Sequence, residues 1–461
     1  MFRPPIVTIM GHIDHGKTTL LDKIRSTNVC AKETGGITQH INAYQAKGIT
    51  FIDTPGHAAF INMRARGAKI TDIVVLVIAG TEGVMAQTKE CLKLVKEFKL
   101  PLIVALNKKD LAGFAPDKVK GQLIEAGFTP EEYGGDVPCL AISAKTGEGI
   151  DKLLETIKLL ADLLDLKAEP EAPLLAAVIE SCLDKNRGPI ATAVVEKGTV
   201  KTGDIIYAGS ISGKVRALID DNGKKIDSAG PSTPVVILGC EAVPPVGSVI
   251  TEQPQQVATV PAAKLTADST ASNKLKIILK ADTQGTLEAI RNCLTDDVLI
   301  LEAGVGAVND NDVFLAGAGK AAIYAFNVDF PLFIQKLAEN EQVKVIQSKI
   351  IYEIIDDIQN KILHLLEPTI DETVLGEGEI IAEFKIEKIR IAGVKVTKGE
   401  LTKGDLVHVK RADGITKDTK IDSLRQGKIA VDKVKAGNEC GLTFKPYVDF
   451  KVKDGILAFT R

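Results

Sequence analysis

The sequence predicts a multidomain protein of α/β plus β architecture, with α/β parts at its start and in its middle and a β-barrel after each. Three observations carry that reading. A glycine-rich loop, Gly11 to Thr18, ends a β-branched run and opens a helical pattern, the strand–loop–helix start of an α/β nucleotide-binding domain. Ile190 to Tyr207 ("IATAVVEKGTVKTGDIIY") aligns without gaps on Ile391 to His408 ("IAGVKVTKGELTKGDLVH"), with Lys-Gly and Gly-Asp at the same spacing. Such self-similarity indicates two copies of one module, the alternative being a coincidence of turn residues. Between the copies, strand-type and helical runs alternate, as in a compact α/β unit.

A chain of 461 residues is too long for one core, and roughly three to four domains are expected. Apolar residues make up 45% and charged residues 25%, the balance of a folded globular chain. Aromatic residues are 4% with no Trp, which argues against stacking platforms for single-stranded nucleic acid. A net charge of −3 leaves no overall nucleic-acid footprint, although a local basic patch is compatible with it. The seven cysteines are scattered, none closer than the 43 positions between Cys139 and Cys182, so CxxC pairs and short zinc knuckles are absent. They read as reduced thiols. The apolar run Ile6 to Met10 stops at Gly11, too short for a signal peptide, and no run of about twenty apolar residues occurs. A cytoplasmic protein without membrane attachment is expected.

The loop Gly11-His12-Ile13-Asp14-His15-Gly16-Lys17-Thr18 fits the pattern G-x-x-x-x-G-K-[ST]. Backbone N–H groups there curl around phosphate oxygens, Lys17 reaches the β- and γ-phosphates, and the Thr18 hydroxyl can ligand Mg²⁺ beside a helix N-terminus. "ITFIDTPGH" (Ile49 to His57) ends a strand in Asp53, placed to hold Mg²⁺ through water, and Gly56 offers an N–H to a γ-phosphate. "LIVALNKKD" (Leu102 to Asp110) ends another strand in Asn107, Lys108 and Asp110. The Asp110 carboxylate can accept both hydrogen bonds of the guanine N1–H and N2–H₂ edge, whereas adenine would leave it unpaired at a cost of several kcal/mol. "AISAK" closes a last strand with Ser143, Ala144 and Lys145, whose backbone suits the guanine oxygen. Four such stretches in this order read as a P-loop GTPase domain that binds GTP and GDP.

The spelling "GHIDHGKT" with "DTPGH" resembles the translational GTPases, and "ETGGITQHINAY" with "RARGA" narrows the resemblance to the bacterial translation initiation factor two family. The resemblance implies that His57 orients the attacking water, the alternative being that it only caps the following helix. It also implies that Thr38, in "GGITQH", joins Mg²⁺ when the γ-phosphate is present, with Gly35 and Gly36 freeing that loop. As partners it implies the ribosome (small subunit, then large), formylmethionyl initiator tRNA and other initiation factors, for a monomeric protein.

Five segments follow. Residues 1–166 form the P-loop GTPase domain, ending in the amphipathic "GIDKLLETIKLLADLLDL" before the linker "KAEPEAP". Residues 172–258, with short β-branched runs and glycine turns, form the first barrel. After a small-residue tract, Pro261 to Thr270, residues 272–348 form an α/β/α sandwich, where "ILKADTQGTLEAI" resembles the family's third domain. Residues 349–367 form a long linker helix with Ile351, Ile354, Ile355, Ile358, Ile362, Leu365 and Leu366 at helical spacing. That stripe means packing, or, as family architecture suggests, a rod transmitting the switch state. Residues 374–461 form the C-terminal β-barrel, which resembles the module that recognises the initiator aminoacyl end.

Two departures from the family stand out. The family usually carries a long region ahead of its GTPase core, and this chain starts at that core. In the last barrel Arg425, Glu439, Cys440 and Gly441 occupy positions resembling the formylmethionine pocket, with Lys428 nearby. Gln426 and Gly427 replace an arginine and an aromatic there, and Val394 replaces a common cysteine, so a weaker or altered pocket is expected. Burial in the barrel wall is the other reading of Cys440. Against a GTP-gated initiation factor stand an elongation-type factor, a kinase or ATPase, and a non-hydrolysing ribosome-binding scaffold. Asn107-Lys108-Asp110 disfavours the ATP enzymes and His57 the scaffold, while the α/β segment and long helix between two barrels disfavour the elongation type.

Overall fold

Apolar runs buried on both faces form parallel central strands, and the first domain is built on them. Its strands are β1 (Ile6–Gly11), β2 (Asn42–Ala46), β3 (Ile49–Asp53), β4 (Ile73–Ala79), β5 (Leu102–Asn107) and β6 (Cys139–Ala141). They lie in the order β2-β3-β1-β4-β5-β6, with β2 antiparallel and the others parallel. Every residue of β1, β3, β4 and β5 is buried. The helices are α1 (Lys17–Arg25), α2 (Ile61–Ile70), α3 (Ala86–Phe98), α4 (Pro116–Glu125) and α5 (Ile150–Leu163). Leu20, Leu21 and Ile24 of α1 pack with Leu153 and Ile157 of α5 in one core. Cys91, Leu92 and Val95 of α3 pack with Val119 and Leu123 of α4 in the other. The sheet is thus covered on both faces, and Asp53, Gly11 and Asn107 end the central strands β3, β1 and β5 at its carboxyl edge, where open α/β sheets hold ligands.

The computed structural model describes residues 2–26, 38–254, 274–366, 373–386, 389–411, 414–427, 429–446, 448 and 450–460. Cys30, Gly35, Gly36, Lys428 and the tract from Pro261 to Thr270 lie outside them. The chain divides into two units, Met1–Ile362 and Leu363–Arg461.

In the first unit a barrel follows, made of β7 (Leu175–Asp184), β8 (Gly188–Lys197), β9 (Val200–Lys201), β10 (Ile205–Ala208), β11 (Ile211–Ile219), β12 (Lys225–Ile226), β13 (Ser228–Ala229), β14 (Pro234–Cys240) and β15 (Val249–Thr251). The ring β7-β15-β10-β11-β14-β8 closes on itself through the β7–β8 and β10–β11 pairings, which leaves no open edge.

The α/β part comprises β16 (Leu275–Ala281), α6 (Gln284–Asn292), β17 (Val298–Val305), α7 (Asp310–Gly319), β18 (Ala322–Phe326), α8 (Leu332–Asn340), β19 (Val345–Ser348) and α9 (Ile351–Leu366). Its sheet is parallel in the order β17-β16-β18-β19. Helices α6 and α9 share one apolar cluster with Ile277, Leu279 and Phe326, while α7 and α8 share another with Ile278 and Ile323. That makes an α/β/α sandwich. The stripe Ile351, Ile354, Ile355, Ile358 and Ile362 is buried in the first cluster, which also takes in Ile6, Ile52, Phe60 and Met63 of the first domain and Ile179 of the barrel. Each isoleucine so buried contributes about 1.5–3 kcal/mol. The stripe therefore packs, joining three parts of the unit.

In the second unit lie β20 (Thr373–Ile386), β21 (Ile389–Thr402), β22 (Leu406–Arg411), β23 (Gly414–Gln426), β24 (Ile429–Ala430), β25 (Lys433–Lys435), β26 (Glu439–Phe444) and β27 (Gly455–Thr460). The ring β20-β27-β22-β23-β26-β21 closes through β20–β21. Its connectivity repeats the first barrel strand for strand. Gly203 and Gly404 sit at φ 99° and 100°. Asp204 Oδ2 accepts from the Lys201 N–H at 2.7 Å, and Asp405 Oδ2 accepts from the Thr402 N–H at 2.8 Å. The repeated Gly-Asp is one turn built twice.

Candidate nucleotide site

The phosphate loop joins β1 to α1. Gly16, at φ 87°, is the residue before the helix, and a side chain there would strike the Asn107 amide. Lys17 folds back so that Nζ donates to the His12 carbonyl at 2.6 Å. Its ammonium is almost fully buried, and burial pushes its pKa down to about 8, opposed by the nearby Asp53 carboxylate. Gly56 closes over it: a Cβ would lie 2.5 Å from Lys17 Nζ and 3.0 Å from the Ile13 nitrogen. So close an approach of backbone to the phosphate loop needs glycine there.

Thr18 and Thr38 meet hydroxyl to hydroxyl, Oγ1 to Oγ1 at 2.7 Å, with Asp53 buried at the end of β3. Adjacent oxygens of an octahedral Mg²⁺ shell with ~2.1 Å bonds stand about 3.0 Å apart, so the pair lies within a few tenths of an ångström of two corners of one ion. Lys17, Thr18, Thr38, Gly56, His57 and Tyr352 all line a cavity of about 170 Å³, together with Ile13 and Asp14.

His57 precedes the short helical turn Ala58–Phe60, and its Nδ1 accepts from the Ala59 N–H at 3.1 Å. The capping that the sequence left open is therefore present. Burial, and then the Arg64 guanidinium, lower the imidazole pKa. Arg64 is wholly buried; it donates to the carbonyls of Pro55 (3.2 Å) and His57 (2.5 Å) and pairs with Glu90 at 2.9 Å.

At the other end of the loop Asn107 works as a staple. Its Nδ2 donates to the His15 carbonyl at 2.8 Å, and its Oδ1 accepts from the Ala144 N–H at 2.9 Å. Ser143 Oγ donates to Asp110 Oδ1 at 2.6 Å, which is the first cause holding the exposed Asp110 carboxyl below its ordinary range. Lys108 adopts φ 68° and pairs with Glu82 at 2.7 Å, and Lys145 is exposed beside Ala144. The phosphate-loop residues, Thr38, Asp53, Gly56 and His57 thus gather at one end. Asn107 joins them to Lys108, Asp110, Ser143, Ala144 and Lys145.

Arg425, Glu439, Cys440 and Gly441 lie in the second unit on β23 and β26, where Arg425 pairs with Gly441. Strand alternation exposes Glu439 and turns Cys440 into the barrel core beside its register partner Val394. Burial pushes the Cys440 thiol up to about 11. Arg425 and Gln426 are exposed, and Gly427, at φ 62°, makes the β23–β24 turn.

Three family models match the chain. Elongation factor Tu GTP binding domain covers residues 26–162, Elongation factor G domain 2 covers 173–253, and Translation-initiation factor 2 covers 251–359. The chain is 44% identical, over 99% of its length, to translation initiation factor IF-2 of Halothermothrix orenii, 72% of which is covered. The chain belongs to the translation initiation factor IF-2 family. IF-2 of Moorella thermoacetica is 44% identical over 99% of the chain, and IF-2 of Aquifex aeolicus 44% over 98%. The chain spans only 54% and 60% of those two IF-2 proteins.

Two residues at this IF-2 site escaped sequence reasoning. Gln39 bonds to the head of α9, and Tyr352 of α9 packs on His57. Tyr352 stands off the isoleucine stripe at the helix start, an aromatic with no place in the stripe, and that was the available signal.

Proposed function

We propose that the chain is a GTP-hydrolysing translation initiation factor of the cytoplasm. In this reading it brings formylmethionyl initiator tRNA to the small ribosomal subunit, promotes joining of the large one, and leaves on hydrolysis. The observation that supports the choice of nucleotide is the Ser143–Asp110 hydrogen bond: it aims a charged carboxylate, at the rim of the loop, for the guanine N1–H and N2–H₂ edge. Asn107 keeps that rim in register with the phosphate loop. Lys145 would complete the guanine contacts beside Ser143 and Ala144, whose own N–H groups donate to the Glu148 carbonyl and to Asn107 Oδ1, each at 2.9 Å.

Lys17 neutralises the β- and γ-phosphates, and the backbone of Gly11 to Gly16 cradles them. Thr18 and Thr38 would hold Mg²⁺ with Asp53 through water, and the bound ion would offset phosphate charge. Gly56 and Thr38 report whether the γ-phosphate is attached, and His57 orients the attacking water. Slow intrinsic hydrolysis, with the ribosome supplying the missing stabilisation, is the expected behaviour. Energy for release comes from losing the γ-phosphate contacts, since a ligand shifts an equilibrium only by its differential affinity. Family membership supports the partners, with Arg425 and Glu439 as the exposed candidates for the aminoacyl end.

Titration with GTP and ATP tests the nucleotide. Wild type should bind GTP, and Asp110→Asn should weaken GTP by roughly a hundredfold, the loss of two charge-assisted hydrogen bonds, without unfolding. Equal affinity for ATP sinks the assignment. Retention of initiator tRNA on small subunits should depend on GTP; independence from GTP removes the gating role.

A further inference from the structure

The head of helix α9 enters the phosphate end of the site. Gln39, one residue after Thr38, is buried and clamps it at two points: Nε2 donates to the Lys349 carbonyl at 2.9 Å, and Oε1 accepts from the Ile351 N–H at 3.1 Å. The next residue, Tyr352, lines the cavity and meets the His57 imidazole edge-to-face, with centroids 4.4 Å apart and planes at 66°. Edge-to-face pairs of this kind are attractive beyond their burial.

The Ala59 N–H occupies the Nδ1 lone pair of His57. A neutral imidazole so engaged carries its proton on Nε2, and that nitrogen can donate to a water but cannot take a proton from it. Arg64 pins the His57 carbonyl, so the freedom left to this residue is rotation of its ring. Tyr352 is packed against that ring. The charged and titratable groups facing it are Arg64, Glu90 and His12, and burial with Arg64 favours the neutral form. Among the described residues the Tyr352 hydroxyl makes no hydrogen bond, so the contact resides in the aromatic ring.

We propose that Tyr352 is a positioning residue for His57: its ring latches the imidazole in the helix-capping, Nε2–H form and keeps unstimulated GTP hydrolysis slow. The inference rests on the reading of His57 as the residue that orients the attacking water. Because Gln39 follows the Thr38 hydroxyl and Tyr352 follows the Gln39 clamp, the latch is set by the segment that senses the γ-phosphate.

The test is single-turnover GTP hydrolysis by the full chain without ribosomes, with GTP affinity measured in parallel. Tyr352→Ala should raise the rate roughly three- to tenfold, the range that one lost ring contact corresponds to, at unchanged GTP affinity. Tyr352→Phe should keep the slow rate, and adding His57→Ala to Tyr352→Ala should abolish the gain. Nitrogen NMR of ¹⁵N-histidine-labelled wild type should place the neutral His57 proton on Nε2 at pH 7.

Tyr352→Ala hydrolysing no faster than wild type while binding GTP normally overturns the proposal, as does a gain that survives His57→Ala. A proton on Nδ1 in wild type overturns it even where the alanine variant fails to fold. Failure of the functional reading is told apart by the affinity measurement, in which wild type itself would bind no GTP.

Discussion

Thr18 Oγ1 and Thr38 Oγ1 touch at 2.7 Å across a separation of 20 residues, bringing the first turn of the helix that follows the phosphate loop against the segment before β2. Thr38→Ala removes one of the two hydroxyls. It should weaken Mg²⁺-dependent GTP binding about tenfold, the size of one lost hydrogen bond to a charged group, and leave GDP binding nearly unchanged. Fluorescent-nucleotide titrations with and without Mg²⁺ check this; equal losses for GTP and GDP would assign Thr38 a purely structural part.

Asn107 bonds with both ends of its amide inside the protein. In Asn107→Ala the His15 carbonyl and the Ala144 N–H lose their partner in a buried setting. The variant should lose about 2–4 kcal/mol of stability in urea and bind GTP and GDP equally poorly. A variant that loses affinity with no change in urea midpoint would mean that Asn107 acts on the ligand alone.

His15 is fully buried between the phosphate loop and β4, and burial, partly opposed by Glu82, pushes its pKa down to about 4 from 6.5. The folded state prefers the neutral ring, so the contribution of His15 is complete above about pH 6.5 and is lost as pH falls towards 4. Over that window it amounts to something on the order of 3 kcal/mol. His15→Gln should flatten the wild-type decline in denaturation midpoint between pH 7 and 5; an unchanged pH slope would refute the claim.

Asp204 and Asp405 make the same turn in two barrels, both half-buried. Asp204→Ala and Asp405→Ala should each destabilise their own barrel by about 1 kcal/mol, read by amide exchange in the barrel concerned. Unequal losses would show that the shared spelling hides different surroundings.

Much of the first domain was legible because its signals are local. A glycine pair before Lys-Thr, carboxylates ending apolar strands and a Pro-Gly turn each act within a few residues of backbone. The barrel repeat was equally legible, since Gly203-Asp204 and Gly404-Asp405 satisfy their hydrogen bonds within one turn. Cys440 was harder to read: whether it faces a pocket or the core depends on strand register, and pairing with Val394 turns it inward.

By itself the sequence determined the nucleotide loop, the order of strands and helices, and the doubling of the barrel, because propensity, turn chemistry and residue spacing are properties of neighbours along the chain. Only the tertiary structure decided that α9 seats Tyr352 on His57, that Gln39 clamps the same helix, and that Asn107 binds two loops together. Those partners are separated by tens to hundreds of residues. Their meeting follows from burying the isoleucine stripe in a core shared by three parts of the unit, and no local pattern encodes it.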